Sequence, residues 1–143
     1  MLFRSTPSNL NSLGSGAAKP LGALDLSAGF HDCEVYVQAT LATSGVSATG
    51  TLQIYGIRST DNTDWTDGIS PSTTSDIASS IKNADLLAEL VANANSQVVR
   101  YNLNLGDAQG ALSKYHAIVV KNNSGAALAA SGNAAKYQTK QYT

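Results

Sequence analysis

Residues that usually carry chemistry are scarce in this sequence. It has one cysteine, Cys33, which can close no intramolecular disulfide and cannot build a cysteine-based zinc site. It has two histidines, His31 and His116, and only two glutamates, Glu34 and Glu89. Charged residues make up 13% of the chain and the net charge is −1, against about 25% charged in an average soluble domain. That balance gives no basic footprint for nucleic acid and no acidic tail. No apolar run reaches the roughly 18 residues of a membrane-spanning helix. The opening MLFRSTPSNLNSLGSG holds no apolar stretch of signal-peptide length, so a cytosolic site of synthesis and folding is expected. No phosphate-binding glycine loop, serine nucleophile elbow or tandem repeat is present, and no enzyme activity or cofactor is expected.

What the sequence has instead is alternation. At 143 residues it suits one domain with a real core. Cys33, Val35, Val37, Ala39 and Leu41 recur at every second position, with Glu34, Tyr36, Gln38 and Thr40 between them, the pattern of a half-buried strand. Further strands are expected at Leu21–Ser27, Gly50–Arg58, Gln97–Leu105, Tyr115–Lys121 and Ala134–Tyr142, with a weak one in AALAAS. Tyr115–Lys121 is apolar nearly throughout, as when both faces of a strand are covered. Gly56 interrupts the alternation before Ile57, which suggests a bulge or a close backbone approach. Leu86, Leu87, Leu90 and Val91 fall at helical spacing, and Asn83 could cap them, so a short helix is expected within Asp76–Ala94. About seven or eight short strands separated by turns indicate an all-β, single-domain sandwich, jelly-roll-like, with one inserted helix. Residues 1–20 read as an extended N-terminal arm, either disordered or ordered on a neighbouring subunit, and 21–143 as the sandwich domain.

Few residues invite a site. His31 and Cys33 flank Asp32, but without a third orienting group they read as turn and core residues. His116, inside an apolar strand, reads as a structural histidine. Asp61, Asp64 and Asp67 lie in a long polar loop, Ser59–Ser75. They miss the spacing of a calcium-binding helix–loop–helix, whose twelfth position would fall on Ser72 or Ser75 rather than on a bidentate Glu, so no metal site is assigned. Trp65, the one tryptophan, sits in the same loop. It could cap the sandwich, anchor in a partner, or stack on sugar, with Tyr55 and Tyr101 completing a platform.

The stretch NTDWTDGISPSTTSDIASSIKNADLLAEL, with VVRYNLNL and KYHAIVVKNNSGAALAASGNAAKY after it, resembles small virion proteins of tailed bacteriophages, over roughly residues 50–143. The resemblance implies a capsid cement, or decoration, protein. Such a protein sits as a dimer or trimer on the capsid surface of the virion, over contacts between subunits of the major capsid protein, after synthesis in the host cytoplasm. It implies no catalytic residues, no nucleic-acid or membrane partner, and an arm that reaches a neighbour. The contact residues expected on this reading are Phe3, Leu10 and Leu13 in the arm and Trp65 in the loop. The alternative is a carbohydrate- or receptor-binding β-sandwich module of a phage fibre.

Overall fold

The computed structural model describes residues 3–6 (backbone), 10–29, 32–73, 75–77, 81–106 and 113–140. Among these residues the strands are Phe3–Thr6 (β1), Ala18–Asp25 (β2), Asp32–Thr40 (β3), Thr51–Ser59 (β4), Asp85–Val91 (β5), Val98–Asn104 (β6), Tyr115–Asn123 (β7) and Ala134–Lys140 (β8). They form two four-stranded sheets, ordered β1-β8-β3-β6 and β2-β7-β4-β5, and the pairings are antiparallel. The all-β sandwich expected from the alternation is therefore the architecture. Within it β1 pairs with β8, β2 with β7, β3 with β6 and β4 with β5, alternately in one sheet and the other. Strands β1–β4 thus lie against β8–β5 as one long antiparallel ribbon, bent over on itself.

The main core lies between the sheets. Cys33, Val35, Val37, Ala39 and Leu41 face Leu52, Ile54, Ile118 and Val120 in one buried cluster, as the period of two on β3 and β4 requires. A second, smaller cluster covers the other side of the β2-β7-β4-β5 sheet. Ala18, Ile57, Ala117 and Val119 meet Ile69 there, with Tyr55, Trp65, Ile77, Ile81 and Ala84 packed around them. This explains the unbroken apolar run of β7: Ile118 and Val120 face the main core, while Ala117 and Val119 face the second. It also explains Ile57, which is buried because the loop covers that face. No shift interrupts the β4–β7 register at Gly56; the irregularity of β4 lies in its pairing with β5, where Ala88 and Leu86 stand opposite Ile54 and Tyr55 and Leu87 is the extra residue.

Three sequence expectations are corrected. The helix expected within Asp76–Ala94 is instead an edge strand, β5, over Asp85–Val91. Helix propensities differ by only tenths of a kcal/mol among Leu, Ala and Glu, and six registered pairs with β4 outweigh them. The bulge turns Leu87, Ala88 and Leu90 toward the main core and leaves Leu86 and Val91 exposed, so strand and helix produce the same apolar positions. AALAAS forms no strand.

The arm is not an arm either. Residues 3–6 form β1 against β8, and Ala18–Pro20 already belong to β2. Leu10 and Leu13, expected to contact a neighbour, are fully buried in this chain's own core. Burial of a leucine side chain stabilises by about 1.5–3 kcal/mol, enough to hold a short segment in place. Backbone bonds hold it too: Leu128 N–H donates to Leu13 O at 2.9 Å and Asn122 N–H to Ala17 O at 2.9 Å.

Candidate functional site

The chain between β4 and β5 is long, polar and pinned by its own side chains. Ser59 Oγ accepts from the backbone N–H of Asn62 at 3.0 Å and donates to Asp61 Oδ1 at 3.0 Å. Asp61 Oδ1 in turn accepts from the N–H groups of Thr63 and Asp64, at 2.8 and 2.9 Å. Bonds to those two N–H groups, Asp64's first, and to the Ser59 hydroxyl hold the Asp61 carboxyl below the usual carboxylate range. Thr66 Oγ1 accepts from Arg58 N–H at 3.1 Å, tying the loop back onto β4. A short 3-10 turn, Thr66–Gly68, then carries Asp67 in a left-handed conformation, φ 58°.

That turn aims Asp67 across the loop. Its carboxylate accepts from three consecutive backbone N–H groups, those of Lys82, Asn83 and Ala84, at 2.8, 2.9 and 3.1 Å, and from Asn83 Nδ2 at 2.7 Å. The Asn83 N–H is the leading cause that holds this carboxyl below its ordinary value as well. In the sequence the three aspartates stand together as possible calcium ligands. The structure separates them: Asp61 and Asp67 are engaged with backbone N–H groups, while Asp64 makes no side-chain hydrogen bond among the described residues, and neither does Asn62. Among the described residues no three His, Cys, Asp or Glu side chains stand close enough to share a metal ion.

Trp65 lies between the two pinned turns. It packs against the second cluster and also lines a cleft of about 490 Å³, within the roughly 300–1,000 Å³ typical of small-ligand sites. Ile69 and Pro71 line the cleft with it, and Gly22 and Ala23 of β2 complete it. At Gly22 the chain bulges, Leu21 and Gly22 standing opposite Ile118 alone, with φ +100° at the glycine; only glycine takes that conformation without strain. Tyr55 joins Trp65 in the second cluster, but Tyr101 packs against the main core on the other sheet, so the three do not form one platform.

Phe3 stands opposite Gln138 in the β1–β8 register, and its side chain lies outside the described residues, as does His31. Cys33 is buried and its thiol is pushed up to about 12, first by burial and then by Asp32 and Glu34, so it is not a thiolate nucleophile at neutral pH. His116 is fully buried and its Nε2 accepts from Ser113 N–H at 2.8 Å. Burial, aided by the Arg58 charge, pushes it down to about 4. A depression of about 330 Å³ on the outer face of the β1-β8-β3-β6 sheet is lined by Glu34, Tyr36, Asn102, Lys136 and Gln138, and the Nε2 of Gln138 is buried with no hydrogen-bond partner among the described residues.

Sequence reading missed two devices: the Asp67 clamp and Asn122. The clamp had no local signal, because its acceptor and donors lie 15 to 17 residues apart. Asn122 opens the turn-like run Asn122-Asn123-Ser124-Gly125, which gives no sign that its side chain is buried. No helix among the described residues is long and apolar enough to cross a membrane. Comparison with protein-family models, with curated proteins and with solved structures gives no match for this chain.

Proposed function

We propose that the chain is a structural virion protein that decorates the assembled head of a tailed bacteriophage and stabilises contacts between subunits of the major capsid protein. The observation that carries this reading is the nested strand pairing, β1–β8, β2–β7, β3–β6 and β4–β5, alternating between two four-stranded sheets. We read that wrap as a jelly roll, an architecture used by viral capsid and lectin domains. The low charge favours the same role, because neutral polar groups cost less to desolvate at a protein interface. With Leu10 and Leu13 assigned to the core, the contact surface moves to the Trp65 loop and to β5 and β6, each at one edge of its sheet. Leu86, Val91 and Val98 are the exposed large apolar residues there, and Val91 and Val98 flank the turn between the strands.

The mechanism is linkage. A protein that binds the assembled shell and not free subunits stabilises the shell by mass action, and a symmetric dimer or trimer multiplies the contact by avidity. Cosedimentation tests it directly: the chain is expected to pellet with empty phage heads and to remain in the supernatant with dissociated capsid subunits. A double change of Val91 and Val98 to Ser should weaken that binding at least tenfold. Equal recovery with heads and with subunits would overturn the proposal.

A further inference from the structure

We propose that the Trp65 cleft binds a neutral saccharide. The inference does not rest on head binding: it is argued from the geometry of the Trp65 loop, and sugar titration of the free chain tests it apart from any capsid contact that the same loop makes. Trp65 has its ring packed on the second apolar cluster and also lines the cleft. An indole supported in this way is a rigid platform, and the C–H face of a pyranose stacks on such a surface while its hydroxyls remain free for polar partners. Ile69 and Pro71 supply the remaining apolar wall.

The polar groups fit the same ligand. Asn62 and Asp64 line the cleft and make no side-chain hydrogen bonds among the described residues. A planar amide and a carboxylate beside an aromatic face suit vicinal hydroxyls, the amide donating and accepting and the carboxylate accepting from two. Ser70 and Ser72, 2.9 Å apart and bonded to each other, add hydroxyls at the rim. Among the described residues no Lys, Arg or His lines the cleft, so none of them compensates an acidic sugar, a phosphate or a sulfate, and Asp64 repels them. The loop is also already ordered by Asp61 and Asp67, so a ligand need not bear the entropy of closing it.

Because Trp65 is the one tryptophan of the chain, its fluorescence reports on this cleft and nothing else. The full chain would be titrated with methyl glycosides and short oligomers of glucose, galactose, mannose and N-acetylglucosamine, and applied in parallel to an array of neutral and acidic glycans. At least one neutral sugar is expected to shift or quench the emission. Its affinity, measured by calorimetry, should fall tenfold or more in Trp65→Ala and several-fold in Asp64→Ala and Asn62→Ala. Trp65→Phe keeps an apolar residue on the second cluster and should retain part of the binding, which separates loss of the platform from loss of the fold. Silence of Trp65 emission toward all these sugars overturns the proposal, as does binding confined to acidic glycans or binding undiminished in Trp65→Ala.

Discussion

Asn122 is the side chain whose role is most out of proportion to its chemistry. It is fully buried, yet both its polar atoms are bonded: Nδ2 donates to Leu13 O at 2.9 Å and to Ala126 O at 2.8 Å, and Oδ1 accepts from Ser124 N–H at 3.0 Å. One amide therefore joins the N-terminal segment, the end of β7 and the turn after it. Truncating it leaves the Ser124 N–H without its acceptor in the interior and takes one of two donors from each carbonyl, since Leu13 O keeps Leu128 N–H and Ala126 O keeps Ser124 Oγ. Asn122→Ala is expected to lower the stability of the folded chain by roughly 1–3 kcal/mol. Its neighbour Asn123 bonds Gln53 across the sheet and is only partly buried, so Asn123→Ala should cost less than about 1 kcal/mol. Urea unfolding of the two variants side by side checks this; equal midpoints would refute the distinction.

At the scale of elements, the loop before β5 behaves as a built part of the fold because of Asp67. Its carboxylate gathers the N–H groups of Lys82–Ala84 just ahead of the strand, fixing where β5 begins. Asp67→Ala should free that segment, so that limited proteolysis between residues 60 and 84 becomes several-fold faster than in the parent, while Asp64→Ala should leave the rate unchanged. Cleavage that is the same in all three proteins would remove the clamp from the account. Most strands were legible before the structure because alternation is local: β3 can be read from Cys33 to Leu41 with no knowledge of its partners. What was illegible depended on partners. The apolar positions Leu87 and Leu90 satisfy a helix as well as a bulged strand, and only pairing with Leu52 and Ile54 decides between them. The apolar residues Leu10 and Leu13 were visible, but whether they bury in their own chain or in another is set by β7 and the turn beyond it. Of the candidate site, Trp65 was legible by its rarity, whereas the different uses of Asp61, Asp64 and Asp67 depend on where distant N–H groups fall.

For the whole molecule, scarcity of charge concentrates the pH dependence of stability on few groups. His116 stands on β7, the strand between β2 and β4 in its sheet, and is held neutral by burial, with Nε2 accepting from Ser113 N–H. In the folded chain it titrates at about 4; unfolded, at about 6.5. The sign follows. Above pH 6.5 neither state binds the proton and this histidine contributes no pH dependence. Between pH 6.5 and about 4 the unfolded chain binds a proton that the folded chain refuses, so stability falls as the solution is acidified. Below that window Asp61 and Asp67, whose carboxyls are held under the ordinary value of 3.8, act in the same direction. The stability they contribute is present above that value and is lost as pH falls through their folded values. Melting temperatures measured across this range should therefore be level near neutrality and decline steadily from pH 6.5 toward 4. The decline should be much reduced in His116→Leu, even if that variant melts lower throughout for want of a partner to Ser113 N–H. The chain's other histidine supplies the control: His31→Gln should preserve the slope. A slope that survives in His116→Leu and disappears in His31→Gln would assign the acid sensitivity to the other histidine and refute the argument from burial.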